Sequence, residues 1–396
     1  MAIKDMIERG NKDPFRVFFL LGWIFAILGV LPWISFAWFD QSSYPGGFHA
    51  VVMSRGFMSC FVFGFLMTSI PKFTETEPAT SWELAAGLTS VVASAFLARF
   101  GNGLESSLLT IAQIALVVVF IGRRFLKKKN NPPGTFFFLA TGLVLGAAGS
   151  IIEIISLYQP TVFDGEWHLL GRLLSFYGMI LAIVLGIGAR LFPGILGWVE
   201  IVQAQRQRYE RPVSYLSVVP LDVWIGVVLF LVSFIIESFY FEQAGRVIRA
   251  SLVTYVAMRY WKLYRFPPKA NWMKVSLMIS AWTVVAGEWL AAGFPGLGVD
   301  GKHLVFIGGF ALLSFLVGAR VTLAHGEGLA AESRRLPYIP LTALILVAAA
   351  TRVGAHWTPT SYVPHLAYAS VIWLLGVASW GVFFAPRLCK GLFSKH

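Results

Sequence analysis

The chain has 396 residues, 57% of them hydrophobic and only 13% charged, with a mean hydropathy of +0.70. Soluble proteins keep roughly 25% charged residues, so this composition excludes a water-soluble globule and points to lipid-facing surface. The net charge of +12 does not imply nucleic acid as a partner. The basic residues lie in short segments between apolar runs, with no basic domain around them.

Apolar runs of about 20 residues fall at 15–38, 48–70, 82–100, 105–122, 135–157, 168–192, 217–239, 244–261, 273–293, 303–322, 337–355 and 365–386. They predict an all-α, polytopic transmembrane helical bundle of about twelve spans, with the lipid bilayer as its first partner. The first run, Phe15 to Trp38, exceeds a signal-peptide core and lacks a small-residue cleavage site. The eighth holds Arg246 and Arg249 and is interrupted by Thr254, so it reads as short or amphipathic. The longest loop, 193–216, is too short to bury a core, and residues 1–396 read as a single membrane domain. Cys60 lies mid-span and Cys389 follows the last span; these depths exclude a disulfide, and no CxxC motif is present.

The basic residues orient the spans. With the N-terminus inside, the segments on that side hold 23 of the 32 Lys and Arg. They run from Lys4, Arg9, Lys12 and Arg16 through Arg123–Lys129, Arg206, Arg208, Arg211 and Arg259–Lys274 to Arg387, Lys390 and Lys395. The opposite ends keep Arg99, Arg246, Arg249, Lys302 and Arg352. Losing one span would flip every later loop, so this asymmetry supports both the count and cytoplasmic termini.

Three spans begin alike. Span two opens with Phe48-His49, span six with Trp167-His168 and span ten with Lys302-His303. The spacing is four helices, and the inner ends also rhyme: Thr68-Ser69-Ile70-Pro71, Gly188-Ala189-Arg190-Leu191-Phe192-Pro193 and Gly318-Ala319-Arg320-Val321. This predicts a threefold repeat of four helices, although short Gly-Ala-Arg matches also arise by chance. Imidazole is the usual axial ligand of haem iron and a common ligand of copper, so His49, His168 and His303 are candidate ligands at the outer end. The bland reading is that each is an interfacial residue without a special role. Met53, one turn below His49, suits either metal ligation or, more simply, packing.

Charged side chains inside spans sharpen the case. Arg55, Glu153, Arg172, Arg190, Glu288 and Arg320 each cost roughly 2.5–3.5 kcal/mol at mid-membrane and should face the bundle interior, although Arg190 and Arg320 lie close enough to the inner surface to snorkel. His168 and Arg172 are four residues apart on one helix face, so the arginine suits a haem propionate below a ligating histidine. The competing reading is an Arg–Glu pair that braces the bundle, with Glu153 or Glu288 as partner.

The order of these motifs resembles the NnrS family, proteobacterial membrane proteins associated with haem, copper and nitric oxide stress. Asp13-Pro14-Phe15-Arg16-Val17-Phe18-Phe19 is similar to the family's Phe-Arg-Pro-Phe-Phe opening. Phe48-His49-Ala50-Val51-Val52-Met53 and Gly64-Phe65-Leu66-Met67-Thr68-Ser69-Ile70-Pro71 are similar to its Trp-His-Ala-His-Glu-Met and Gly-Phe-Leu-Leu-Thr-Ala-Val-Pro. Gly188 to Pro193 resembles its Gly-Arg-Val-Ile-Pro, and Ala319-Arg320-Val321-Thr322-Leu323-Ala324-His325-Gly326 its Thr-Arg-Val-Ser-Leu-Gly-His-Thr-Gly. Two departures mark a divergent member. Val51 and Val52 replace a histidine and a glutamate, and Gly326-Glu327-Gly328 follows His325 in place of Thr-Gly-Arg. His325 lies 22 residues below His303, about 33 Å along a helix, so it suits only a second metal site near the cytoplasm, or none.

The resemblance implies a haem-binding protein (b-type haem, with copper as a further cofactor) of the bacterial inner membrane, acting in nitric oxide tolerance. Its partners would be a small gas ligand and an electron donor, with Arg55 and Arg172 as charge partners of the cofactor. Two other classes stay open. One is a redox enzyme related to haem–copper oxidases, whose architecture three groups of four spans resembles; span seven, where those enzymes carry a histidine pair, has none here. The other is a cofactor-free secondary transporter, which predicts helices broken at mid-membrane.

Overall fold

A computed structural model of the chain describes residues 3–39, 43–100, 103–209, 214–326 and 328–393. Arg211, Glu327 and Lys395, named above, lie outside the described residues, as do the side chains of Lys4, Arg206 and Arg208. Among the described residues, eleven helices are long and apolar enough to cross a membrane. They are α1 (Phe15–Trp38), α2 (Gly46–Thr74), α3 (Ser81–Phe100), α4 (Gly103–Leu126), α5 (Phe136–Tyr158), α6 (Gly165–Leu196), α7 (Leu221–Phe239), α9 (Trp272–Gly293), α10 (Gly298–Ala324), α11 (Tyr338–Trp357) and α12 (Pro359–Leu392).

The weak eighth span is helix α8 (Glu242–Arg259), 18 residues long. Its charges keep it below the apolarity of the others, yet it runs the full length of α7. Near its start, Arg246 Nε meets Glu237 at the end of α7 at 3.1 Å. Just past its end, the Tyr260 hydroxyl donates to Asp222 at the start of α7 at 2.8 Å. Arg246 and Arg249 are both buried, so the polar face of α8 turns inward and the helix spans as α7 does. The expectation of a short or amphipathic helix holds: α8 has 18 residues, and its polar side meets carboxylates on neighbouring helices.

The twelve helices form three units of four, and the units close into a ring. Within each unit the second helix packs against the other three: α2 against α1, α3 and α4, α6 against α5, α7 and α8, and α10 against α9, α11 and α12. Neighbouring units meet through α4 and α5, through α8 and α9, and through α12 and α1. The last seam is stitched by two indoles. Trp23 Nε1 donates to the Val377 carbonyl at 3.0 Å, and Trp373 Nε1 to the Ala26 carbonyl at 2.8 Å. The second helices are therefore the inner ones: α2 and α6 bury 72% and 78% of their most apolar stretch, against 28% for the lipid-facing α3.

Each inner helix carries a π-helical turn at the same place: Val52–Met58 in α2, Leu173–Gly178 in α6 and Val305–Ala311 in α10. Such turns add a residue to the helical repeat and cluster at functional sites. They confirm the threefold repeat and give it a register that the sequence motifs lacked. The helices stay continuous through these turns, with no unwound break at mid-membrane among the described residues.

Close crossings at glycine hold the units together, as expected where lipid supplies no hydrophobic drive between helices. A Cβ on Gly287 of α9 would lie 2.7 Å from the Gly301 carbonyl of α10, and one on Gly149 of α5 would lie 2.6 Å from the Gly171 carbonyl of α6. Both pairs join the first helix of a unit to its inner helix. At the seam of α2, α10 and α12 the rings of Phe57, Phe61, Phe315, Trp373 and Trp380 interlock, with Phe61 and Phe315 centroids 5.6 Å apart. This apolar plug lies two to three turns below His49. Cys60 and Cys389 are both free thiols.

Candidate functional site

The polar interior divides among the three units. In the first, Arg55 of α2 is 2% exposed and pairs with Glu153 of α5 at 3.2 Å. Its other guanidinium nitrogen donates to Ser106 of α4, and its carbon lies 4.3 Å from the Phe176 ring centre. Glu153 also accepts from Ser107 at 2.7 Å and from Ser175. In the second unit, Arg249 of α8 lies between two carboxylates, 2.6 Å from Glu237 of α7 and 3.3 Å from Glu288 of α9. Tyr177, in the π turn of α6, donates to Glu288, and Lys302 of α10 reaches Glu237 at 3.2 Å. Of the two readings offered by the sequence, Arg55, Glu153 and Glu288 therefore fit the bracing one: all three make interhelical salt bridges.

The histidine end of α2 and α10 is built differently. Pro32 has no N–H, so it interrupts the ladder of α1, and the Trp33 amide turns back to the Val30 carbonyl. That leaves the Gly29 carbonyl without the Trp33 amide that would bond it in a regular helix, and His49 Nδ1 takes it at 2.9 Å. A carbonyl only accepts, so Nδ1 carries the proton and the lone pair stands on Nε2. His303 repeats the arrangement, with Nδ1 at 2.8 Å from the Val299 carbonyl of its own helix. Both rings are half-buried, and neither Nε2 has a partner among the described residues. An N–H anchored on a carbonyl with the opposite nitrogen exposed is how metal-ligating histidines are held.

His49 and His303 lie within electrostatic reach of each other and of Arg352 on α11. Arg352 is 7% exposed, pairs with Asp300 of α10 at 2.8 Å and faces the Tyr362 ring at 5.7 Å. His356 Nδ1 meets the other Asp300 oxygen at 3.1 Å. The site thus holds two imidazoles from two inner helices and a buried arginine. Arg352 and Asp300 were not singled out from the sequence. The available signal was that Asp300 lies three residues before His303, and Arg352 at the outer end of the next span.

His168 does not join this pair. It is exposed at the start of α6. His49 precedes its π turn by three residues, His303 by two and His168 by five, so His168 stands furthest from its turn, near the outer start of α6. Arg172, on the same helix face, is exposed as well, 5.7 Å from the Phe176 ring centre. The buried Arg55 faces that same ring at 4.3 Å, so Arg172 lies on the side of α6 turned toward α2. Met53 packs its sulfur against Gly29 of α1, a packing contact.

His325 caps the far end of α10. Its Nδ1 donates to the Val321 carbonyl at 2.9 Å and its other nitrogen meets the Lys72 ammonium. Arg16 donates to its carbonyl at 3.0 Å, and Asp13 lies 3.9 Å away. With both nitrogens engaged, a metal there would have to displace Lys72. Arg320, also at that end, pairs with both Glu332 oxygens at 2.6 and 2.8 Å, while Arg190 is half-buried. Among the described residues no group of three or more His, Cys, Asp or Glu is placed to hold a metal.

The arrangement of motifs along the chain has a counterpart in known proteins. The sequence profile described as NnrS protein matches residues 11–391. The chain belongs to the NnrS family. No curated protein matches it. As an NnrS protein it carries the family's outer-end histidine on α2 but Val51 and Val52 after it. Val52 is fully buried and opens the π turn, so in this chain that turn begins with packing.

Proposed function

We propose that this NnrS protein binds haem at the outer end of the bundle, through His49 and His303, and acts in nitric oxide tolerance at the bacterial inner membrane with its basic end in the cytoplasm. The observation that carries this reading is the pair of half-buried imidazoles on α2 and α10 whose Nδ1 atoms are anchored on carbonyls. A haem iron takes one or two axial nitrogens, and two are offered. Arg352 supplies a buried cation for a propionate, in place of Arg55 and Arg172. A bound haem would supply one-electron chemistry there. The chain's own contribution is to fix both tautomers, to hold Arg352 through Asp300, and to close the site below with the aromatic plug at Phe57, Phe61 and Phe315. A small neutral gas partitions into such an apolar bundle without a polar channel. Copper fits less well, because a closed copper site takes about three such donors.

The second reading, a redox enzyme like the haem–copper oxidases, is favoured by one observation: the ring of three four-helix units with α2, α6 and α10 inside. It requires an electron donor and turnover of oxygen or nitric oxide.

Purified, detergent-solubilised protein from haem-replete cells tests both. The haem reading expects a Soret band that is lost or shifted in His49→Ala and in His303→Ala and unchanged in His168→Ala. Metal analysis and turnover with a reduced donor separate the second reading from the first. A colourless, metal-free preparation would remove both and leave a cofactor-free transporter.

A further inference from the structure

At the basic end of the bundle a cavity of about 520 Å³ opens between the end of α10, the start of α11 and the end of α12. Its walls include Arg334, Arg335 and Arg387 together with Leu336, Tyr338 and Phe383. Arg334 and Arg335 are exposed and Arg387 is half-buried. The Arg335 guanidinium makes no hydrogen bond or ion pair within the described residues. The nearby acidic group, Glu332, is already matched by Arg320, and Arg387 donates to the Phe383 carbonyl, so the open cation at the cavity is Arg335.

Two further features point to a bound anion. Tyr338 is fully buried, yet its hydroxyl has no hydrogen-bond partner among the described residues; a buried donor left unsatisfied is destabilising, and an acceptor in the cavity would relieve it. Tyr338 is also the first residue of α11, and the N-terminal end of a helix favours negative charge. The surroundings say which kind of anion. Leu336 and Val382 are 70% and 71% exposed, so the rim of the cavity continues into the lipid-facing surface. A soluble phosphate would have no use for that apolar rim, whereas a phospholipid would.

We propose that this cavity binds the phosphate headgroup of an anionic glycerophospholipid, with the acyl chains running into the bilayer beyond Leu336. Clusters of basic side chains at helix ends recognise such headgroups, each arginine near the surface strengthening binding by about fivefold. The Tyr338 hydroxyl would donate to the phosphate, and the arginines would supply charge-assisted hydrogen bonds.

Native mass spectrometry of the full-length, detergent-solubilised protein tests this, with thermal melting as a second readout. The probes are phosphatidylglycerol, phosphatidylcholine and inorganic phosphate. The expected result is phosphatidylglycerol bound at least about tenfold more tightly than phosphatidylcholine, with a raised melting temperature that inorganic phosphate does not reproduce. Arg335→Gln and Arg387→Gln should each weaken it roughly fivefold, Arg335→Lys should retain most of it, and Arg99→Gln at the opposite end should not change it. Tyr338→Phe should weaken lipid binding without lowering the melting temperature of lipid-free protein, which a purely structural tyrosine would not allow. Equal binding of the two lipids, or unchanged binding in both Gln variants, overturns the proposal. Stabilisation by inorganic phosphate equal to that by phosphatidylglycerol overturns it too, in favour of a soluble anion.

Discussion

The cluster around α6 and the cluster between α2 and α10 both lie close to the π turn of an inner helix, but they are finished differently. Around α6, Arg249 is shared by Glu237 and Glu288, Tyr177 closes on Glu288, and Lys302 closes on Glu237. Positive and negative groups alternate there. Between α2 and α10, His49 and His303 each spend one nitrogen on a carbonyl and keep the other. The first cluster is saturated and can only brace. The second retains two lone pairs in a half-buried place, which is the requirement for chemistry. Buried charge therefore serves in both clusters, as Arg249 and as Arg352, and the unspent imidazole nitrogens are what set the second cluster apart.

The largest effect should come from opening the saturated cluster. Arg249→Met leaves Glu237 and Glu288 buried without their shared cation, at a cost of about 3–5 kcal/mol. It should lower the melting temperature sharply or prevent recovery of folded protein; a variant that melts with the parent would show that the network does not brace the bundle. Gly287→Ala comes next. Its methyl would sit 2.7 Å from the Gly301 carbonyl, which overpacks the α9–α10 crossing by about 1–3 kcal/mol and should appear as a moderate fall in melting temperature. At the open cluster the balance reverses. His49→Ala or His303→Ala forfeits one hydrogen bond, about 1 kcal/mol, yet should remove or shift the Soret band. The smallest effects belong to His168→Ala and Arg172→Gln. Both side chains are exposed, so each change should stay within about 0.5 kcal/mol and leave the absorption spectrum alone. A Soret band lost in His168→Ala but kept in His303→Ala would invert the comparison.

Much of this fold was legible because membrane helices announce themselves by length and apolarity, and because the basic residues alternate sides. The eighth span was not fully legible. Its arginines find their carboxylates on α7 and α9, and such partnership is tertiary information. The histidine motif misled for a geometric reason. Phe48-His49, Trp167-His168 and Lys302-His303 match in sequence, but depth along a helix is only half of a position. The other half is what each ring meets: His49 and His303 lie within reach of one another, whereas His168 is exposed at the start of α6, and that difference is tertiary. Arg352 and Asp300 escaped attention because neither lies in a motif; they matter through contacts between α10 and α11. Arg55 was legible as a buried charge, while its pairing with Glu153 at 3.2 Å was one of two readings between which the sequence alone could not choose.

The seam between α12 and α1 has a consequence for biosynthesis. Trp23 and Ala26 bond to partners 354 and 347 residues further along the chain, so α1 is sealed by a helix synthesised long after it. Until α12 is inserted, the flank of α1 that carries Gly29, and through it the anchor of His49, has no wall beside it. A nascent chain stopped at α10 would already contain both histidines, yet the side of α1 that α12 covers would stand open to lipid. Insertion of α12 is therefore the event that closes a row of inserted segments into a ring.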